Sequence, residues 1–130
     1  MFHFTALVTC LAILVYLATL FQVGRARTAF GVKAPAIIGH PDFERVFRVQ
    51  QNTLEWMPIF LPSLWLFAIY LSDAVAAAIG LVWIAGRLLY MIGYAQAANK
   101  RGTGFMIQAL AALVLWLGAV GAALWRTVYG

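Results

Sequence analysis

Four long apolar blocks constrain the fold of this chain more than any other feature. They cover residues 4–21, 56–71, 74–94 and 105–124, and each is near the ~20 residues that a helix needs to cross a bilayer. Hydrophobic residues make up 65% of the chain, whereas an ordinary soluble domain has roughly 45–50%. The sequence therefore predicts an all-α membrane protein: one domain over residues 1–130, folded as a four-transmembrane-helix bundle with up-down topology.

The first block lies where a secretory signal would lie, but its composition favours a retained span. Its apolar core exceeds the roughly 7–15 residues of a signal core, and basic residues follow it rather than precede it. Cys10 is the only cysteine, so the sequence offers neither a disulfide framework nor a metal-ligand cluster. We expect Cys10 to be a buried structural residue. His3 and His40 are isolated in sequence, and we interpret both as solvated rather than catalytic.

The basic residues predict the orientation in the membrane, because Lys and Arg are enriched in cytoplasmic connections. Most of them fall on the side shared by the first and third connections: Arg25, Arg27, Lys33, Arg45, Arg48, Lys100 and Arg101. Only Arg126 lies near the opposite face. We therefore expect an integral, multi-pass protein with these connections in the cytoplasm, in the inner membrane of a bacterium or the endoplasmic reticulum of a eukaryote. The net charge of +5 is read as a topology signal, and no nucleic-acid partner is expected.

The connections between the blocks differ in length. Residues 23–41 contain Gly and Pro without helical periodicity and predict one long loop. Asp42 is expected to cap the second helix, and Pro58 and Pro62 predict a kink in it. Residues 72–73 are too few for anything but a tight hairpin, and residues 99–104 form a short third connection.

Polar residues continue into the second apolar block. With about 100° per residue, Asn52 lies about 40° from Arg48 around a helix and Glu55 about 20° on its other side. These three residues form one stripe, close to Arg45. The stripe could be the solvated end of a helix, but Glu55 directly precedes apolar residues. Ionisable residues near membrane depth are by default candidates for a binding site.

A second polar stripe follows the third block. Arg87, Tyr90, Tyr94 and Arg101 recur at i, i+3, i+7 and i+14 and are expected to share a face of the third helix. Tyrosines at such positions are often membrane-interface anchors. Arg87 lies too deep to reach the interface easily, so it is expected to pair with a carboxylate, from Glu55 or Asp73. Two converging stripes predict a pocket for a small anionic or zwitterionic ligand, such as a peptide.

Three segments resemble those of one known family. They are "RARTAF" (25–30), "FERVFRVQQNTLEWMPIF" (43–60) and "GRLLYMIGYAQAANKR" (86–101). With the spacing between them, they are similar to the membrane-associated proteins in eicosanoid and glutathione metabolism (MAPEG), a family that includes microsomal glutathione transferases. The resemblance implies a four-helix protomer, a homotrimer, and glutathione as cosubstrate, bound between neighbouring subunits near the cytoplasmic face.

The resemblance also implies residue roles. Glutathione would be bound by Arg27, Arg48, Gln50, Asn52, Glu55, Tyr90 and Tyr94. Arg101 would be the catalytic residue, because an adjacent guanidinium favours the thiolate of a thiol whose pKa is otherwise about 8.5. This chain departs from the family pattern at two positions. Thr28 stands where leukotriene-forming members have a second arginine, so leukotriene synthesis is not expected. Trp56 stands where many members have a tyrosine. No metal is implied.

The function implied is that of a membrane-bound glutathione transferase or glutathione-dependent peroxidase. Its thiolate would attack a hydrophobic electrophile or a lipid hydroperoxide supplied from the bilayer. Two alternatives stay open at this point. One is a non-catalytic membrane protein of the same fold that binds lipid or acts as a scaffold. The other is a small transporter or channel component, which would explain Arg87 but needs neither Arg101 nor the aligned tyrosines.

Overall fold

A computed structural model describes residues 1–96, 99 and 101–130 of the chain, and this part forms four long α-helices without strands. All four are long and apolar enough to cross a membrane. Their short connections make sequential helices antiparallel neighbours, as in an up-down bundle. The prediction of an all-helical four-span protein is confirmed. The helices are α1 (His3–Phe30), α2 (Pro41–Tyr70), α3 (Asp73–Gln96) and α4 (Gly102–Tyr129).

The first connection is shorter than predicted, because α1 continues through Phe30. Val23 and Ala26 are buried on this last part of α1 and pack with Phe43, so tertiary contacts stabilise a helical segment that lacks a clear apolar period. Gly31 then ends the helix in the left-handed conformation, with φ of 68°, which glycine adopts without steric cost. The loop is therefore confined to residues 31–40.

The cap of α2 is His40 and not Asp42. The backbone of His40 is extended, and its Nδ1 accepts a hydrogen bond from the N–H of Asp42 at 3.1 Å. Asp42 lies within the first turn, where a negative charge is stabilised by the helix dipole, and it pairs with Arg45. α2 then continues through Pro58 and Pro62 to Tyr70. The kink expected at these prolines stays a prediction.

The two ends of the bundle can be named by their connections. The loop end holds residues 31–40, the start of α2 and the start of α4. The hairpin end holds residues 71–72, which join α2 to α3. Between them, the rings of Phe60 and Trp83 stack with centroids 3.9 Å apart, and both side chains are fully buried.

Glycines bring α3 and α4 into close backbone contact near the loop end. A Cβ atom on Gly104 would lie 2.2 Å from the backbone nitrogen of Tyr90, and one on Gly86 would lie 2.6 Å from that of Gln108. No larger residue fits such an approach. The contact places Tyr90 against the first turns of α4.

At the hairpin end, polar side chains join α1 to its neighbours. Asp73 accepts hydrogen bonds from the backbone N–H groups of Phe4 and Thr5, at 3.2 and 2.9 Å. Trp65 Nε1 donates to Thr9 Oγ1 at 2.9 Å. Cys10 is exposed rather than buried as predicted, because it falls between the positions that α1 buries.

Candidate functional site

A groove of about 560 Å³ opens at the loop end, on one face of α2. Small-molecule sites commonly enclose about 300–1,000 Å³, so the groove has the size of a ligand site. It has one apolar side, from the loop, and one polar side, from α2. Its lining residues are Ile37, Ile38, Glu44, Phe47, Arg48, Gln51 and Glu55.

Arg48 and Glu55 stand out among these residues. Both are exposed, and neither forms a hydrogen bond or an ion pair with any residue in the described part of the chain. They lie about 20° apart around α2 and two turns apart along it, roughly 10 Å. One cation and one anion at this separation match the two ends of a zwitterionic ligand better than they match each other.

A buried polar cluster lies on the inner side of α2. Arg87 of α3 is fully buried, with an exposed fraction of 0%. Its Nη1 donates to Asn52 Oδ1 at 2.7 Å, and its Nη2 donates to Thr53 Oγ1 at 2.6 Å. Thr53 is itself fully buried and donates to the carbonyl oxygen of Val49 at 2.8 Å. The guanidinium of Arg87 thus links α3 to two successive residues of α2.

The expectation that Arg87 pairs with a carboxylate is wrong for the described residues. Asp73 lies at the hairpin end, where it accepts from the start of α1, and Glu55 faces the groove. An amide and a hydroxyl oxygen take the place of a carboxylate. Because these acceptors are neutral, the positive charge of Arg87 remains without a counter-charge inside the described part of the bundle.

Aromatic rings connect this cluster to Arg101. The guanidinium carbon of Arg87 lies 4.5 Å from the ring centroid of Tyr90. The rings of Tyr90 and Tyr94 are 5.5 Å apart, and the guanidinium of Arg101 lies 5.4 Å from the ring of Tyr94. Cations stacked on aromatic faces are held by the ring quadrupole. The helix-three residues that were predicted to share a face do meet.

Arg101 reaches this row from a different helix than expected. α3 ends at Gln96, and Arg101 is the N-cap of α4. It is therefore not part of the i, i+14 face of the third helix. Lys100, its predicted neighbour in the topology signal, lies outside the described residues.

Of the predicted glutathione contacts, only Arg48 and Glu55 line the groove. Asn52, Tyr90 and Tyr94 belong to the buried cluster and its aromatic row, and two others lie apart from both.

Arg27 Nη1 donates to the carbonyl oxygens of Val32 and Ala36, at 3.4 and 2.7 Å, and the Arg27 guanidinium lies 5.0 Å from the ring of Phe43. Arg27 thus supports the loop within its own chain. Gln50 lies about 160° from Arg48 around α2, so one protomer does not direct both side chains at the same ligand.

Sequence reasoning missed Thr53, which accepts from Arg87, and three further polar residues at this end of the bundle. Glu44 and Gln51 line the groove, and both could have been found by extending the stripe of Arg48 by one turn in either direction. Gln108 is fully buried in α4, and its Nε2 donates to the carbonyl oxygen of Phe105 at 3.2 Å. The residues around Gln108 depend on how closely α3 approaches α4. Only Gly86 and Gly104 indicate that approach in the sequence.

Several known proteins are similar to this chain in sequence. The chain is 50% identical over 103 residues to human microsomal glutathione S-transferase 2, covering 78% of this chain and 70% of that protein. It is 41% identical over 124 residues to mouse leukotriene C4 synthase, covering 95% of this chain and 81% of that protein. An uncharacterised protein of Synechocystis sp. is 52% identical over 121 residues, covering 93% of this chain and 88% of that protein.

A family model also matches most of the chain. The match covers residues 5–121, from the first turn of α1 to the second half of α4, and so includes both the groove and the buried cluster. Four helices able to cross a membrane accompany it, so the protein is an integral, multi-pass membrane protein. The chain belongs to the MAPEG family.

Proposed function

We propose that this protein is a membrane-bound glutathione transferase. Its glutathione thiolate attacks a hydrophobic electrophile and, with a lipid hydroperoxide as the acceptor, performs glutathione-dependent reduction. The names of the human and mouse relatives, a glutathione S-transferase and a leukotriene synthase, support this class of chemistry. Thr28, exposed near the end of α1, stands in place of the second arginine of leukotriene-forming members, so leukotriene synthesis is not part of the proposal.

The observation that carries the proposal is the unpaired charge of Arg48 and Glu55 in the groove. Glutathione at neutral pH has two carboxylates and one ammonium group. A guanidinium binds a carboxylate through two parallel hydrogen bonds, and the Glu55 carboxylate complements the ammonium group. The groove is large enough for a tripeptide.

The proposed site is completed by a neighbouring protomer in a homotrimer. Arg48 and Glu55 face one side of α2, and Gln50 faces nearly the opposite side. If all three bind glutathione, the groove of one chain must receive Gln50 or Arg27 from another. A trimer of identical chains provides this arrangement three times by symmetry. Native mass spectrometry of the detergent-solubilised protein is expected to show three protomers per particle, and a fully active monomer would contradict this arrangement.

Arg101 is proposed to stabilise the thiolate. It is exposed and carries a permanent positive charge, and it lies against Tyr94 at the start of α4. A thiol beside such a charge loses its proton more readily, and the thiolate is the nucleophile. The electrophile enters from the lipid, which the apolar outer faces of the helices contact. The basic loop end is proposed to face the cytoplasm.

The test is an assay of purified protein in detergent. We expect glutathione-dependent conjugation of a chromogenic aryl halide, reduction of a lipid hydroperoxide, and saturable glutathione binding by calorimetry. Binding of glutathione without turnover of either substrate would favour the non-catalytic scaffold. Absence of glutathione binding would refute the proposed function.

A further inference from the structure

The buried cluster has a feature that a purely structural role does not explain. Arg87 is a fully buried cation that no described carboxylate neutralises, and its Nε has no hydrogen-bond partner. Burying an uncompensated charge is costly, by several kcal/mol as an order of magnitude. Apolar residues of the same volume would generally stabilise a helix interface at least as well.

We infer that Arg87 is a positioning residue of the glutathione site, which fixes the side-chain amide of Asn52 so that its NH2 group is presented to the ligand. The inference rests on the proposed function and specifies how one of its binding residues is held. It assigns no direct contact between Arg87 and glutathione.

The orientation of Asn52 follows from the chemistry of the two groups. A guanidinium carries only donors, and an amide carries one acceptor oxygen and one donor nitrogen. The atom of Asn52 that lies 2.7 Å from Arg87 Nη1 must therefore be the oxygen. Since the amide is planar, its NH2 group points away from Arg87. No described residue accepts a hydrogen bond from this nitrogen.

Asn52 belongs to the buried cluster and does not line the groove, but it neighbours Arg48, which does. It is half-buried and lies about 40° from Arg48 around α2, one turn along the helix. A ligand that extends from the groove past Arg48 would reach this free NH2 group with an acceptor, such as a carboxylate or peptide carbonyl of glutathione. Without Arg87 the Asn52 side chain could turn its amide oxygen toward the ligand or leave this rotamer, so its NH2 group would no longer be held for an acceptor.

Arg87 itself is held rigidly enough to act in this way. Its second nitrogen donates to Thr53, whose hydroxyl is in turn committed to Val49. Its guanidinium is stacked against Tyr90 at 4.5 Å. The close approach at Gly104 fixes the backbone of Tyr90 against α4. Three helices therefore determine where Arg87 lies, and Arg87 determines how Asn52 is turned.

A double-mutant cycle on glutathione affinity tests the inference, with calorimetry on purified protein in detergent. We expect Arg87→Met and Asn52→Ala each to weaken binding about tenfold, the usual consequence of one lost hydrogen bond to a charged group. The double variant should be no weaker than Asn52→Ala alone, because Arg87 acts through Asn52. Additive losses, or wild-type affinity in Arg87→Met, would overturn the inference.

A second variant covers the case in which Arg87→Met does not assemble. In Asn52→Asp one carboxylate oxygen still accepts from Arg87, so the fold is retained, while the other oxygen cannot donate to a ligand. Its glutathione affinity is expected to fall more than tenfold, given the lost donor and the added negative charge. Wild-type affinity in this variant would overturn the inference.

The control is Thr9→Val, which removes an interhelical hydrogen bond of similar length at the hairpin end. It should leave glutathione affinity unchanged. If it weakens binding as much as Arg87→Met, the effect of Arg87 is a general loss of packing, and the inference is refuted. A wild-type protein that binds no glutathione would refute the proposed function together with this inference. A wild-type protein that binds, with additive losses in the cycle, would refute only the inference.

Discussion

The two ends of the bundle carry similar polar groups but use them differently. At the hairpin end, Asp73 accepts from the backbone of α1 and Trp65 donates to Thr9. At the loop end, Arg48 and Glu55 have no partner among the described residues. The hairpin end therefore uses these polar groups within the fold, whereas the loop end leaves two charged side chains, Arg48 and Glu55, available to a ligand.

This difference separates stabilising residues from binding residues more clearly than residue type does. Asp73 and Glu55 are both carboxylates near the end of a membrane span, so the sequence alone does not distinguish their roles. Only the acceptors and donors around them distinguish a helix cap from a ligand contact. Substitutions at the two ends should accordingly affect different measurements: glutathione binding and turnover at the loop end, thermal stability at the hairpin end.

The largest effect is expected from Arg101→Ser, which removes the cation proposed to stabilise the thiolate. A thiol with a pKa of about 8.5 is only about 3% ionised at pH 7, so turnover should fall roughly 30-fold relative to a fully ionised thiol, while glutathione still binds. Ultraviolet absorbance of the thiolate in a pH titration of the complex reports the change directly.

The matched control for Arg101 is Arg126→Ser, the same change of charge in the last turn of α4. It should leave the thiolate titration unaltered. If Arg101→Ser shows the wild-type thiolate titration and wild-type turnover, Arg101 does not stabilise the thiolate and acts only as one of the basic residues that set the membrane orientation.

A smaller effect is expected from Arg48→Ala or Glu55→Ala. Each removes one charged contact to glutathione and should weaken binding by about tenfold or more. Thermal stability should hardly change, because both side chains are exposed and unpaired within the described chain. Arg25→Ala is the control, since Arg25 is an exposed arginine at the same end that does not line this groove. Unchanged affinity in well-assembled variants would show that the groove is not the glutathione site.

At the hairpin end the expected order is reversed. Asp73→Ala leaves two backbone N–H groups of α1 without an acceptor, so the unfolding temperature should fall by a few degrees with glutathione affinity unchanged. Asp73→Asn keeps one acceptor oxygen and should recover part of the loss. Thermal unfolding measures the stability of these variants, and calorimetry measures their glutathione affinity. A drop in affinity would show that the hairpin end also contributes to binding.

The smallest effect is expected from Thr9→Val, which removes the acceptor of Trp65. A single neutral hydrogen bond contributes about 1 kcal/mol, so the unfolding temperature should fall slightly and turnover should not change. A large loss of activity would mean that the hairpin end is coupled to the site.

Much of the fold was predictable because it depends on local properties. Each of the four spans is recognised by length and apolarity alone, and the hairpin at residues 71–72 follows from the absence of room for anything else. Arg48 and Glu55 were also assigned to one face correctly, because the helical period fixes the angle between residues of the same helix.

Two predictions of helix boundaries failed where the sequence allowed more than one local structure. The last turns of α1 lack a clear period, yet Val23 and Ala26 are helical because they pack with Phe43. His40 replaces Asp42 as the cap because the extended backbone of His40 brings its ring to the N–H of Asp42. In the first case the sequence is compatible with either a helix or a loop, and in the second either His40 or Asp42 can act as the cap.

The sequence by itself determined that Arg87 is buried in a span and needs partners, since a cation at that depth cannot remain unsolvated. It did not determine which partners. That choice depends on the rotation of α2 relative to α3 and on the close approach of α4 at Gly104, which no single helix specifies. The tertiary structure therefore decided that Arg87 meets Asn52 and Thr53 rather than a carboxylate, and that Arg101 reaches Tyr94 from the start of α4.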